Sequence, residues 1–336
     1  MCKWDLGSHV SNETWLPFSF YLEEIMEHSR KIFLTYDEQI KLLKNRGLNI
    51  TDKDNARHYL EYFGYFDLIN GYKDLFLKNR ATEKYKPNVD FSDIVGLYMY
   101  DYYLRSDLLS ALYLVEKSLK SVISYTFSKK YGEDDSKYLL PSSFDTRPHS
   151  EDRVVSTIRT MKNLIHDNNQ NGNKTICHYI QKHGYIPLWV LFTIATFGNV
   201  SVFYANMKDK DKSTISARYG LNSNELSSMM YFLTHIRNAC AHGHRVYTFG
   251  SDSRRPLTIP RVDLHYKLEL PNNEGLNDIL AVIICCYYLL PKNSLEYLIV
   301  NLKNRLEQIK KKRFYSGVIN KTNLRIKYLN NILTLK

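Results

Sequence analysis

Residues 92–132 read SDIVGLYMYDYYLRSDLLSALYLVEKSLKSVISYTFSKKYG, and the rhythm of apolar residues in this stretch decides the fold. Leu104, Leu108, Leu112, Val115, Leu119 and Val122 recur at intervals of three and four, the stripe of a helix laid against a core. Ser92 stands at its start, Gly132 at its stop, and no proline interrupts it. It is the longest continuous helical pattern in the chain. Asp101 and Arg105, one turn apart, are expected to pair on its surface.

The flanking sequence also reads as helix after helix. Thr35-Tyr36-Asp37-Glu38 fits a capping box ahead of QIKLLKNR, which stops at Gly47. Further helices are expected from about Asp54 to Gly64, over FDLINGYKDLFL, and from Asp152 to Ile165. PLWVLFTIATFGNVSVFYANM is almost wholly apolar and reads as a buried helix with Pro187 near its start. Another helix opens near Asn222 or Ser223, and two more cover about 276–290 and 292–313. Loops are expected at Lys84–Asp90, at 133–150 and over the polar DNNQNGNK, a candidate mobile insertion. Val262, Leu264, Tyr266, Leu268 and Leu270 alternate, which predicts at most a small β-hairpin near 257–270. The fold class is therefore mainly α. Its expected organisation is an N-terminal helical subdomain (1–90), a helical core (91–313) and a basic C-terminal tail (314–336). From Leu302 onward Glu307 is the only acid, so the tail either clamps phosphates or stays solvated.

Composition narrows the function. At 336 residues the chain can bury a substantial core. Lys and Arg total 46 against 35 Asp and Glu, a formal charge of +11, which favours a polyanionic partner such as nucleic acid. A general enrichment in Lys, Asn, Ile, Tyr and Phe, as A/T-rich coding produces, is the competing reading. The 27 tyrosines offer stacking surfaces for bases, though most are expected in the core. The five cysteines form no CxxC pair, and a reducing cytoplasm fits them best. MCKWDLGSHVSNETW has no apolar core, so no secretory signal is expected. The run ILAVIICCYYLL is too short to span a bilayer and reads as a core helix. No membrane partner is expected.

The chemistry concentrates in HIRNACAHGHRVY, residues 235–247. Arg237 and His242 are five residues apart, about 140° around a helix, so both cannot lie on one face of a straight rod. Gly243 offers a left-handed stop. His242 is then expected in the last turn, among unpaired carbonyls where the helix dipole favours positive charge. Arg237 and Asn238, one turn back, present a fork of donors to a phosphate. Such a set suits RNA cleavage without metal. Imidazole takes a proton from the ribose 2′-OH or gives one to the leaving oxygen, while guanidinium stabilises charge on the phosphoryl oxygens. One motif supplies one well-placed histidine, whereas base and acid are both needed; two copies across a two-fold interface would provide them. An ordinary surface cap with a salt bridge has the same spacing. His235, Cys240, His242 and His244, like Cys177, His178 and His183, lack the spacing of a metal site. Neither a metal nor any other cofactor is expected.

The run R-N-x-C-A-H resembles the R-x(4–6)-H signature of HEPN-fold ribonucleases, a class that includes HEPN toxins and type VI CRISPR effectors. More specifically, the chain resembles the abortive-infection Abi family (AbiD/AbiF-like) of bacterial phage defence. Three sections carry the resemblance in order: LTYDEQIKLLKNRGLNITDKDNARHYLEYFGYFDLINGYKDLF, YDYYLRSDLLSALYLVEKSLKSVISYTFSKKYG, and PLWVLFTIATFGNVSVFYANM followed by YFLTHIRNACAHGHRVY. They cover about residues 30–250. The resemblance implies an all-α HEPN-like bundle, usually dimeric, and a metal-independent endoribonuclease leaving a 2′,3′-cyclic phosphate. It implies that Arg237 binds the phosphate, that Asn238 is the polar residue following it, and that His242 is the catalytic histidine. Where some HEPN toxins carry a tyrosine two residues later, His244 stands here, either transferring a second proton or contacting RNA. Arg245 is a supporting candidate. The family pattern places an acid at Glu116, which either orients Arg237 or pairs with Lys120 along the helix. RNA is the expected substrate, and an antitoxin, small RNA or protein, the expected inhibitor. A non-catalytic RNA- or protein-binding module is the alternative.

Overall fold

The computed structural model describes residues 32–147, 150–250 and 257–336. The stretch read above for a missing secretory signal lies outside the described residues. Fifteen α-helices are found among them, with one two-stranded sheet. The N-terminal section holds α1 (Tyr36–Asn45), α2 (Lys53–Phe63), a π-helical turn (Phe66–Asn70), a 3₁₀ turn (Lys73–Leu75) and the antiparallel strands β1 (Leu77–Asn79) and β2 (Lys84–Tyr85). The capping box at Thr35 and Glu38 forms as expected. FDLINGYKDLFL is not a helix throughout, because its chain passes through the π and 3₁₀ turns into β1.

The long helix α3 (Phe91–Tyr131) spans 41 residues. Asp90 caps it by accepting from Ser92 N–H at 2.8 Å, and the Asp93 carboxylate accepts in return from Asp90 N–H at 3.0 Å. Gly132, at φ +85°, ends it. Leu104, Leu108, Leu112, Val115 and Leu119 are all fully buried. Val122 is only half-buried, and Ile123 takes the core position instead. Asp101 and Arg105 do pair, but not on the surface: both are buried. Counting back by three and four from Leu104 and Leu108 shows why, since Leu97 and Asp101 continue that same stripe.

After a short α4 (Asp135–Tyr138) come α5 (Glu151–Gln170) and α6 (Lys174–His183). Asp167–Gln170, expected within a loop, are the last turn of α5, and only residues 171–173 separate the two helices. The apolar run after Pro187 splits into α7 (Leu188–Ile194) and α8 (Phe197–Ala205). Thr196 breaks it, because its hydroxyl and the Asn199 side chain form a capping box that starts a new helix. Next are α9 (Asp209–Ser216), α10 (Ser223–Ala241), α11 (Asp263–Lys267), α12 (Ile279–Leu289) and α13 (Lys292–Ile309). α3 lies against α7, α10, α12 and α13. Cys285 and Cys286 are buried in α12 as core residues.

The hairpin expected near 257–270 is absent. One helical turn, α11, occupies Asp263–Lys267, with Leu264 buried within it and Val262, Leu268 and Leu270 buried on either side. Its buried His265 accepts from Val262 N–H at 3.1 Å and binds the Gly275 carbonyl at 2.8 Å, an anchor that a strand pattern does not anticipate. Residues 314–336 are not a loose tail either. They form α14 (Tyr315–Thr322) and α15 (Ile326–Leu335), with Val318, Leu324, Leu329 and Ile332 fully buried. One continuous core runs from Ile40 to Ile332. No helix among the described residues is long and apolar enough to cross a membrane.

Candidate active site

The site is built at the C-terminal end of α10. Asn222 and Glu225 start the helix with a capping box, and His242 is its C-cap. Gly243 adopts φ +72°, and two backbone bonds close the end: His244 N–H to Ala239 O at 2.9 Å and Gly243 N–H to Cys240 O at 3.3 Å. This pairing is a Schellman motif. The expected unpaired carbonyls are therefore largely taken, since His242 N–H also reaches Asn238 O at 2.9 Å. The two side chains of that last bond are both exposed, one turn apart.

The segment leaving the helix is pinned from below by a residue that the sequence reading had placed at the surface. The Asp101 carboxylate accepts from Tyr247 N–H at 2.6 Å, Val246 N–H at 3.2 Å, the Tyr72 hydroxyl at 2.7 Å and Arg105 Nη1 at 2.6 Å. Burial pushes its carboxyl up, while Arg105 and these donors pull the other way. Arg105 also reaches the His244 carbonyl at 3.4 Å, and Arg245 Nη1 donates to the Gly71 carbonyl at 2.5 Å. Residues 244–247 thus rest on α3 and on the turn after α2.

Above that floor lies a cavity of about 820 Å³. His242, His244 and Arg245 line it, together with Phe66, Asp67 and Tyr102. The two imidazole rings are 6.1 Å apart. Cys240 also touches the cavity, but burial pushes its thiol up to about 12, which makes it no nucleophile.

Arg237 is not among the residues lining this cavity. Its Nε donates to Glu116 Oε2 at 3.2 Å, while Nη1 lies 3.5 Å from Asn238 Oδ1. Glu116 Oε1 is 2.8 Å from Lys120 Nζ, which also donates to the Ala195 carbonyl at 2.7 Å. One buried carboxylate thus contacts both cations. Glu116 and Lys120 line a second cavity of about 500 Å³ with Tyr113, Lys117 and Trp189. Leu109 of the first cavity and Tyr113 of the second are one turn apart on α3. The structure thus brings the candidates together as two adjoining groups. His242, His244 and Arg245 form one; Arg237, Glu116 and Lys120 form the other, with Asn238 exposed on α10. Among the described residues, no three His, Cys, Asp or Glu side chains gather to hold a metal ion.

A family model described as Abi-like protein matches residues 58–248, more than half of the chain. The chain belongs to the Abi-like protein family. The Abi-like region begins within α2 and ends just past Tyr247, so it contains both cavities and the segment that Asp101 holds. No curated protein and no solved structure matches the chain. Sequence reasoning missed Phe66, Asp67 and Tyr72 in the cavity lining, because FDLINGYKDLFL read as one helix.

Proposed function

We propose that this Abi-like protein is a metal-independent endoribonuclease of HEPN type, acting in abortive-infection defence against phage. The observation that carries the reading is the end of α10, where a Schellman stop leaves His242 exposed at the mouth of a cavity and Glu116 holds Arg237 by its Nε alone. That grip leaves Nη2, and Nη1 beyond its 3.5 Å contact with Asn238 Oδ1, for phosphoryl oxygens. In the reaction, a neutral imidazole removes the proton of a ribose 2′-OH and O2′ attacks phosphorus. The P–O5′ bond breaks, an imidazolium protonates the departing O5′, and a 2′,3′-cyclic phosphate remains. Arg237 stabilises the charge that builds on the non-bridging oxygens.

Because Arg237 and His242 belong to separate groups within one chain, a homodimer is part of the proposal: the second copy supplies the other imidazole and closes the site. His244 is the alternative source of the second proton, its ring being 6.1 Å from that of His242. Two adjoining cavities along α3 and a charge of +11 suit an extended RNA strand, and the same charge suits an RNA antitoxin. The separation of Arg237 from the His242 cavity also favours a second reading, a non-catalytic RNA- or protein-binding module.

The test is cleavage of single-stranded RNA by the purified chain in excess EDTA, with growth arrest on expression as the cellular counterpart. His242→Ala and Arg237→Ala should each lower cleavage by about 10²–10³-fold and relieve arrest. Cleavage that needs added metal rejects the mechanism, and arrest that survives both substitutions favours binding.

A further inference from the structure

We propose that the cavity beside His242 is a nucleobase subsite that prefers guanine, formed by Phe66, Asp67 and Tyr102. The inference rests on the ribonuclease reading for its ligand class, and it names which part of the RNA this cavity takes.

The π-helical turn Phe66–Asn70 brings Phe66, Asp67 and Asn70 into the same cavity lining as His242. Such turns are uncommon and are often found at functional sites. Two aromatic side chains of the lining stand in solvent, Phe66 at 71% and Tyr102 at 48% exposure. Rings left in water beside a basic cavity are the stacking platforms that unpaired bases use. Tyr102 is itself braced by Tyr103, whose ring meets it edge-on at 5.3 Å.

Asp67 decides the orientation. It is exposed in the cavity lining and has no hydrogen-bond or ion-pair partner among the described residues, although Arg105 and Arg245 line the same cavity. A free carboxylate repels phosphate, so its side of the cavity is not the phosphate seat. An ionised carboxylate only accepts hydrogen bonds, through two oxygens side by side. The base edge that matches carries two adjacent donors, and guanine has them in N1–H and the N2 amino group. Adenine, cytosine and uracil each offer one donor group there.

The experiment uses the full chain with His242→Ala, so that RNA stays uncut, and fluorescence anisotropy with short labelled oligouridylates carrying a single guanosine, adenosine or cytidine. The guanosine oligomer should bind tightest. Asp67→Asn should reduce that preference by about tenfold, and Phe66→Ala should weaken every oligomer by about tenfold. Both side chains are exposed, so neither substitution threatens the fold. Equal binding of the three oligomers, a preference unchanged by Asp67→Asn, or no RNA binding at all overturns the subsite. If the unsubstituted chain cuts RNA with no base preference, the subsite fails while the nuclease stands. If the preference is found but no cleavage occurs, the nuclease reading fails and the subsite stands.

Discussion

Replacing Asp101 by Asn separates the two ways its pairing with Arg105 can be understood. A solvent-exposed pair one turn apart on a helix contributes at most about 1 kcal/mol. The structure buries Asp101 completely and leaves Arg105 only 7% exposed, with the carboxylate shared among Arg105, Tyr72 and two backbone amides. Removing the charge strands a buried guanidinium, a loss of about 3–5 kcal/mol, and sets an amide NH2 among donors. Urea unfolding of the purified chain should therefore show a destabilisation of about 3–5 kcal/mol at an unchanged m-value. Tyr72→Phe, which deletes a hydroxyl that donates to Asp101 and accepts from Arg105 at 3.0 Å, is the graded control and should lose about 1.5–3 kcal/mol. The same Asn variant, assayed well below its melting temperature, should cleave RNA more slowly, because the amides of Val246 and Tyr247 lose the floor that aligns His242. A loss under about 1 kcal/mol, or a variant as stable as Tyr72→Phe, would refute the claim that this carboxylate anchors the site.

Glu116→Gln keeps the shape but removes the charge shared by Arg237 and Lys120; cleavage should fall about tenfold with circular dichroism unchanged, and undiminished cleavage would show that Arg237 needs no such holder. Burial lowers the affinity of His265 for a proton, so the folded state resists protonation that the unfolded chain accepts. Its stability contribution is full above about pH 6.5 and is lost as pH falls towards the depressed folded value. Thermal melts should drop across that acid window in the parent and less in His265→Gln; equal slopes would refute the assignment. Under mild alkylation, half-buried Cys177 should react first among the described cysteines, since burial closes off Cys240, Cys285 and Cys286; early labelling of Cys240 would contradict its surroundings.

The long helix was legible because its apolar repeat, its Asp90–Ser92 start and its glycine stop agree, and local signals of that kind survive folding. The helix stop at Gly243 was legible for the same reason. The hairpin expected around Val262–Leu270 did not form because alternation over a few positions is equally satisfied by one helical turn followed by a tight turn at Leu268 and Glu269, and the choice was made by the buried His265 reaching Gly275. The reading of residues 314–336 as a basic tail missed their packing because lysines and arginines hid the apolar positions Val318, Leu324, Leu329 and Ile332, which are buried only in the assembled fold. In the site, Arg237, Glu116 and Lys120 were legible as types, but their sharing of one carboxylate is a three-dimensional fact. Asp101 was misplaced because a charged residue was assumed to face water, although its position in the stripe said otherwise. Phe66 and Asp67 carried no spacing signal at all, since a turn before a strand has no period.

The 41 residues of α3 make a rod about 60 Å long, and both cavities are mounted on it without an intervening joint. Angular phase along such a rod is as fixed as distance. One residue inserted between Leu109 and Tyr113 would turn everything beyond it by about 100°, leaving each cavity's own stretch of helix intact and the pair out of step. A substitution on this helix perturbs one place; a change in its length perturbs the relation between the two cavities.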